Sequence, residues 1–308
     1  MSHLSAAHFH DEAAAYAFVE ARIWPNGAVC PHCGEAKRVG KMGGAATRIG
    51  AHKCYACRKQ FTVKVGTVFE SSHVPMRIWL QAIYLICGSK KGISSNQLHR
   101  ISGVTLKTAW FMSHRIREAM RDDGLFTFGS DGGVVEVHET FIGNDRTIKP
   151  KGDKRGRGVH HKHKVLSLVD RTTGRARSMV VDDLKAATLV PILRENIAKE
   201  AVVHTDEAAQ YKLLKHDFAG HEFVRHRAGE YGRGDVHTNT IEGYFSIFKR
   251  GMRGVYQHCA KEHLHRYVAE FEFRYNNRVA HGIGDSERAD IALMGIVGKR
   301  LTYQTARA

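Results

Sequence analysis

The sequence predicts an α/β fold, a mixed β-sheet with helices on its faces, preceded by a small metal-binding module and a helical region. Residues 134–278 alternate short apolar strands with amphipathic helices. Two Cys-x-x-Cys pairs lie near the N-terminus, and the pattern of residues 76–120 is helical. With 308 residues and 43% hydrophobic composition, the chain can bury a sizeable core.

The charge balance indicates a polyanionic partner. Lys and Arg number 47 against 31 Asp and Glu, which gives a net charge of +16 and a pI near 9.7. Nucleic acid is the commonest such partner, although a basic protein without one remains an alternative. The sequence has no apolar run long enough to span a membrane and no signal peptide. We therefore expect a soluble cytoplasmic protein with no membrane partner.

Four of the six cysteines form two pairs, Cys30/Cys33 and Cys54/Cys57, with twenty residues between them. Each pair turns two thiolates toward one point, and two such knuckles complete a tetrahedral Zn²⁺ site. The Gly-, Lys- and Arg-rich segment between them is typical of a zinc ribbon. A redox role would require a neighbouring βαβ unit, which the pattern does not show. We assign residues 1–70 to an N-terminal helix and this ribbon, which either contacts DNA or serves only to stabilise the fold.

Residues 71–125 predict a helix-turn-helix-like DNA-binding region. Ser94 and Ser95 are capping residues for one helix, and the turn Gly103-Val104-Thr105 precedes a second helix. Lys107 and Arg115 on that second helix would be available to DNA. The alternative is a plain helical hairpin between two domains.

Residues 126–290 form the predicted α/β domain, followed by a tail at 291–308. Three strands joined by hairpins precede a crossover helix and further strands. The predicted strands are 134–141, 164–170, 176–181, 201–205 and 222–226, and the predicted helices are 184–198, 241–250 and 262–278.

Two carboxylates and a lysine suggest a site that holds a cation beside a phosphate. Asp206 ends an apolar strand, and Glu242 follows 36 positions later on a helix that also carries Lys249. Carboxylates so placed could bind Mg²⁺ while the lysine contacts the phosphate. A third carboxylate is expected upstream in residues 134–139, but the expected aspartate is missing there.

A glycine-rich basic loop lies between the first two predicted strands. Its cations include Lys154, Arg155 and Arg157. Because this loop lies beside the presumed active edge of the sheet, we predict that it contacts the phosphate backbone of DNA. A merely solvated loop is the alternative.

Several motifs, taken in order, resemble those of bacterial insertion-sequence transposases. This family has an RNase H-like DDE domain, and one of its groups places a zinc ribbon and a helix-turn-helix-like region before that domain. The resemblance covers nearly the whole chain. The matching motifs are the two cysteine pairs, residues 135–143, His204-Thr205-Asp206, residues 237–246, Lys249-Arg250-Gly251 and residues 270–276.

The resemblance implies two-metal phosphoryl transfer on DNA ends, with Mg²⁺ or Mn²⁺ as cofactor. Asp206 and Glu242 would be the second and third catalytic carboxylates, and Lys249 would contact a phosphate near the scissile bond. Asn239 and Arg250 would also face DNA. The implied partners are the terminal inverted repeats, the target DNA and further copies of the chain when two ends are synapsed.

His138 stands where the family pattern has its first aspartate. Imidazole gives one nitrogen instead of two bridging oxygens and suits Zn²⁺ or Mn²⁺ better than Mg²⁺. We expect Glu139 to point to the opposite face of the strand, and Glu136 to lie about 6.6 Å away along it. Reduced cleavage in Mg²⁺ with intact DNA binding follows.

Two other functions remain open from the sequence. One is a catalytically inactive transposase-derived DNA-binding protein or repressor. The other is a zinc-ribbon regulator unrelated to transposition.

Overall fold

The computed structural model describes residues 2–122, 126–145, 148 and 159–302. The chain forms two compact units, Met1–Arg121 with Arg278–Ala308, and Asp122–Asn277. The sequence-based boundaries differ from this division. The ribbon and the helical region share one unit, and the second unit ends at residue 277 rather than 290.

The first unit begins with a helix capped by Asp11, whose side chain accepts a hydrogen bond from the amide of Ala14 at 2.7 Å. A small antiparallel sheet carries the cysteine pairs, and three helices follow. Gly103, with φ of 69°, ends one of them, and Thr105 caps the next. The elements are α1 (Glu12–Ile23), β1 (Val39–Lys41), β2 (His52–Cys54), β3 (Gln60–Phe61), α2 (Met76–Gly88), α3 (Ser95–Ser102) and α4 (Leu106–Ala119).

The second unit contains a five-stranded mixed sheet, as the sequence predicts. Its strand order is β6-β5-β4-β7-β8, with β4 antiparallel to β5 and parallel to β7. A two-stranded hairpin, β9 with β10, precedes the sixth helix. The elements are β4 (Val134–Ile142), β5 (His163–Asp170), β6 (Ala176–Val181), α5 (Ala186–Asn196), β7 (Val202–Asp206), β8 (Gly220–Val224), β9 (Gly232–Arg233), β10 (Val236–His237), α6 (Asn239–Gly251) and α7 (Lys261–Asn276).

Alternating side chains divide the sheet into two buried faces. Val135 and Val137 of β4 pack in one cluster with Leu189 and Leu193 of α5. On the other face, α6 and α7 supply the apolar cover, which includes Phe248 and Phe271. This packing fixes α6 against the sheet, and α6 carries the candidate catalytic residues Glu242 and Lys249.

The last helix, α8 (Asp285–Met294), belongs to the first unit. Asp290 accepts two hydrogen bonds from Arg22 of α1, at 2.8 and 2.9 Å, and Arg288 donates to the carbonyl oxygen of Cys87 of α2 at 3.0 Å. Residues up to 290 were expected to join the α/β domain. Their short-range pattern shows a helix but not its partner, which is more than two hundred residues away in sequence. Among the described residues, no helix is both long and apolar enough to cross a membrane.

Glu272 makes the stability of the second unit depend on pH. Its carboxylate is buried on α7 and accepts a hydrogen bond from the amide of Ser178 at 2.8 Å. Burial raises the pKa of Glu272 from 4.5 to about 7. Between these values the folded chain keeps a proton that the unfolded chain releases, so stability falls as pH rises. We expect a loss of roughly 3 kcal/mol between pH 4.5 and 7.

Urea unfolding followed by circular dichroism across this pH range measures the effect. Tryptophan fluorescence would not serve, because Trp24, Trp79 and Trp110 all belong to the first unit. The Glu272→Gln variant keeps a hydrogen-bond acceptor but cannot ionise, so its stability should change less over the same range. Equal pH slopes for the two proteins would contradict the assignment.

Candidate active site

His138 and Asp206 meet at one edge of the central sheet. β4 and β7 run parallel, and their register pairs Glu136 with His204. Two residues further along each strand, His138 and Asp206 therefore lie side by side. His138 Nδ1 is 3.9 Å from Asp206 Oδ2. The parallel pairing of the two strands thus places an imidazole from the middle of β4 beside a carboxylate from the C-terminal end of β7.

Glu139 also joins this site, and the expectation that it would point away from His138 is wrong. Its Oε2 lies 3.5 Å from His138 Nδ1, and its Oε1 accepts a hydrogen bond from Gln210 Nε2 at 2.8 Å. The pairing of β4 with β7 ends at Glu136 and His204. Beyond that pair, no neighbouring β7 backbone is hydrogen-bonded to β4, so the long Glu139 side chain reaches the strand edge.

We call His138, Glu139 and Asp206 the His138 site. Each offers one ligand atom, and these three atoms lie within 4.8 Å of one another. Burial disfavours the charged imidazole, but Glu139, Asp206 and Glu242 outweigh it and raise the pKa of His138. One nitrogen and two carboxylates suit a divalent cation, with Mn²⁺ or Zn²⁺ favoured over Mg²⁺ by the nitrogen. The donor set therefore fits the kind of cation that the sequence implied.

Glu242 lies beside the His138 site rather than within it. It sits in the first turn of α6, is 46% exposed, and its Oε1 accepts a hydrogen bond from the Thr238 hydroxyl at 3.0 Å. His226 Nε2 is 3.8 Å from the same oxygen. The charge of Glu242 contributes to raising the pKa of His138, after the larger effects of Glu139 and Asp206.

Glu136 holds the start of α6 in place. Its fully buried carboxylate accepts hydrogen bonds from the amide of Ile241 at 2.8 Å and from Arg171 Nε at 2.6 Å. Arg171 also donates to the carbonyl oxygens of Asp235 and His237, at 2.6 and 2.7 Å. The only sign of this role in the sequence is an acidic residue within an apolar strand. Glu242 is the next residue after Ile241, so this cluster positions it.

Removing Arg171 should destabilise the protein strongly. The Arg171→Met variant leaves the Glu136 carboxylate buried without its cation, which costs about 3–5 kcal/mol. Urea unfolding followed by circular dichroism measures the loss. Arg233→Met is the matched control, because Arg233 and its partner Glu222 are 57% and 49% exposed. It should cost less than about 1 kcal/mol. Equal losses in the two variants would contradict the role given to Glu136 and Arg171.

Lys249 lies on α6 seven residues after Glu242, which places both on one face of the helix. It is half-buried, and its Nζ is 5.9 Å from the ring centre of Phe245. Burial lowers the pKa of Lys249, and the cations Arg253 and Lys162 lower it further. Asn239 and Arg250 are exposed on the same helix. The sequence reasoning did not single out Arg253 or Lys162.

The residues outside α6 that were predicted to contact DNA lie in different environments. Lys107 is exposed near the start of α4, as expected. Arg115 is buried, and the expectation that it faces DNA is wrong. Its guanidinium donates to the carbonyl oxygens of Leu301 and Glu70, at 3.1 and 3.0 Å. The cations Lys154, Arg155 and Arg157 lie outside the described residues.

The four predicted zinc ligands converge in the first unit. Cys30 Sγ is 3.6 Å from Cys57 Sγ, and Cys33 Sγ is 3.7 Å from Cys54 Sγ. A tetrahedral site with Zn–S bonds of about 2.3 Å requires sulfur atoms about 3.8 Å apart. The backbone amide of Cys57 lowers the pKa of Cys54 to about 7, which favours the thiolate that a metal needs.

Comparison with known proteins assigns the class. Residues 131–276 match the ISXO2-like transposase domain, and residues 10–60 match the transposase zinc-ribbon domain. The chain is 30% identical over 265 residues to a protein in transposable element ISH50 of Halobacterium salinarum, covering 82% of this chain and 86% of that protein. A transposase-like protein of Haemophilus influenzae is 29% identical over 100 residues, 32% of this chain and 80% of that protein.

Among solved structures, an intasome of simian T-cell lymphotropic virus with a regulatory subunit of PP2A aligns over 57% of this chain and 63% of that chain. It does so at 10% identity with a TM-score of 0.29, too low to carry an argument. The matches in sequence are sufficient. The chain belongs to the insertion-sequence DDE transposases that carry an N-terminal zinc ribbon.

Proposed function

We propose that this transposase cleaves the ends of its element and joins them to target DNA by metal-dependent phosphoryl transfer at the His138 site. The single observation that supports this best is the meeting of His138 and Glu139 of β4 with Asp206 at the end of β7. A divalent cation held by these residues would supply Lewis-acid stabilisation of the charge that develops on the phosphate.

The residues around the site have separate roles in this proposal. Lys249 contacts a phosphate next to the scissile bond, and the exposed Asn239 and Arg250 contact the DNA backbone. Glu136 and Arg171 fix α6, so that Glu242 and Lys249 keep their positions relative to the sheet. The basic loop with Lys154, Arg155 and Arg157 adds backbone contacts, as do Lys107 and the zinc ribbon. The protein would act on DNA at the bacterial nucleoid.

Synapsis brings two element ends together. Each end would be bound by at least one copy of the chain, which supports a homo-oligomer in the active complex. The partners are then the terminal inverted repeats and the target DNA. Copies of this chain would associate on those ends.

His138 is the observation that favours a second candidate function. An imidazole in place of a bridging carboxylate weakens a Mg²⁺ site, while the DNA-binding elements are unaffected. A chain that binds the element ends without cutting them would act as a DNA-binding protein or repressor. The two functions differ in cleavage and not in binding.

End cleavage and end binding, measured on the same labelled DNA, separate these functions. The substrate is a duplex that carries the terminal repeat from the DNA flanking the gene, with an unrelated duplex as control. We expect specific binding and slow cleavage in Mg²⁺, with faster cleavage in Mn²⁺. Asp206→Asn should abolish cleavage and leave binding unchanged. Specific binding with no cleavage in either metal would support the repressor, and no specific binding would overturn both.

A further inference from the structure

A cavity of about 240 Å³ lies in the second unit, where the end of β4 meets the turn that follows α6. We call it the β4–α6 cavity. Its floor includes Ile142 and Leu264, which are buried and apolar. Its rim carries two amides and two cations, Asn144, Gln257, Lys162 and Arg253. An apolar floor with a polar and cationic rim suits a flat heterocycle attached to a phosphate.

The two rim amides are available to a ligand. Asn144 and Gln257 are exposed, and neither side chain has a hydrogen-bonding partner among residues 2–122, 126–145, 148 and 159–302. An amide side chain offers both donors and an acceptor. Nucleobase edges present the same two kinds of group, and Asn and Gln are the side chains that pair with adenine through two hydrogen bonds.

The backbone beside the cavity is unusual. α6 ends in a π-helical turn, Met252–Tyr256, a rare feature that is frequent at functional sites. Gln257 follows with φ of 58° and ψ of −51°, a conformation that costs free energy in a residue with a side chain. The amide of Gln257 donates to the carbonyl oxygen of Met252 at 2.8 Å, which fixes this geometry. The strain brings the Gln257 side chain to the cavity.

Cations lie along α6 between the His138 site and the cavity. Lys249 and Arg253 follow Glu242 along α6 and its terminal turn. Lys162, which immediately precedes β5, lines the cavity together with Arg253. From Glu242 to Arg253 the helical rise is about 16 Å, which equals about five nucleotide steps of one DNA strand.

We propose that the β4–α6 cavity binds an unpaired nucleobase within about five nucleotides of the cleaved phosphate. Asn144 and Gln257 read the edge of this base, and Lys162 and Arg253 contact the phosphates on either side. The inference rests on the proposed function, since it places the scissile phosphate at the His138 site. It adds a base-specific contact to a domain whose other proposed contacts are to the DNA backbone.

The test uses the full chain and duplexes carrying the terminal repeat, with 2-aminopurine at successive positions from the cleaved end. Fluorescence of 2-aminopurine rises when the base leaves the stack. We expect a several-fold rise at one position within about five nucleotides of the cleaved phosphate, and little change elsewhere. Binding itself is followed separately by anisotropy of a distant label.

Variants connect the signal with the cavity. Asn144→Leu and Gln257→Leu remove the amide groups at nearly constant size, and both should abolish the rise while lowering overall affinity less than about threefold, because phosphate contacts dominate affinity. Gln257→Gly removes the side chain and relieves the positive φ, so loss of the signal there cannot result from misfolding. His258→Leu, at the exposed neighbouring residue, is the matched control and should keep the signal.

The outcomes are distinct. Specific binding without a fluorescence rise at any position would overturn this inference and leave the proposed function standing. A rise that persists in both leucine variants would also overturn it, because the base would then be bound elsewhere. Absence of specific binding to the duplex would overturn the proposed function, and this inference with it.

Discussion

The His138→Asp variant is expected to cleave DNA ends in Mg²⁺ on the order of 100-fold faster than the chain with His138, or more. The substitution replaces one ligand nitrogen by two oxygens at position 138 of β4, beside Asp206 of β7. Mg²⁺ prefers oxygen ligands, and a correctly held metal ion contributes several kcal/mol to transition-state stabilisation. Each 1.4 kcal/mol is worth a factor of ten in rate. The measurement is single-turnover cleavage of labelled end DNA.

Three controls make this result interpretable. DNA affinity should stay the same in both proteins, because His138 faces Asp206 and Glu139 rather than the exposed side of α6. The difference in rate between the two proteins should narrow in Mn²⁺, which accepts imidazole. Glu139→Gln should slow the restored enzyme if Glu139 is a ligand in the His138 site. A His138→Asp variant that cleaves no faster in Mg²⁺ would refute the idea that His138 limits the reaction.

The sheet and the zinc ligands could be predicted from sequence because their signals are local. Alternation of apolar residues in 134–142 and 163–170 specifies buried strands, and two Cys-x-x-Cys pairs specify their own geometry. The strands that carry Asp206 and His138 have the same kind of local apolar signal. The parallel pairing that brings the two residues side by side is seen only in the structure.

The role of Glu139 depended on where strand pairing stops, which the sequence does not show. Strict alternation places the Glu139 side chain on the face opposite His138, and β4 stays paired with β5 from Val135 to Ile142. The ladder between β4 and β7, however, ends at Glu136 and His204. Beyond that pair the long Glu139 side chain reaches past the strand, so that its Oε2 lies 3.5 Å from His138 Nδ1.

The roles of Arg115 and Glu136 depend on contacts with segments that are distant in sequence. Arg115 was expected to be available to DNA because it lies on the second helix of the helix-turn-helix-like region. Its partners are instead the carbonyl oxygens of Glu70 and Leu301, the latter 186 residues away. Glu136 receives the amide of Ile241, 105 residues away. A buried charge in a sequence shows that a partner must exist, because an unpaired one is too costly. It does not show which residue the partner is.

Replacing Cys54 by serine is expected to unfold the ribbon, because the ribbon has little else to stabilise it. Its apolar cluster has three buried members, Cys30, Cys54 and Phe61, and two of these are ligands. Structural zinc contributes roughly 10 kcal/mol or more to the folding of such small modules, far more than this cluster can supply. Zinc content by atomic absorption should fall from one per chain to none, and a strong chelator should have the same effect on the unchanged protein.

Cys87→Ala is the matched control, since Cys87 is a buried cysteine outside the four-sulfur cluster. It should keep one zinc per chain. Proteolysis separates the ribbon from the sheet domain: cleavage of Cys54→Ser should appear first within residues 30–60, while Asp122–Asn277 resists as before. The reason is that the sheet has its own core on both faces. A Cys54→Ser protein that retains zinc and resists cleavage in 30–60 would show that the four sulfurs are not the ribbon's main support.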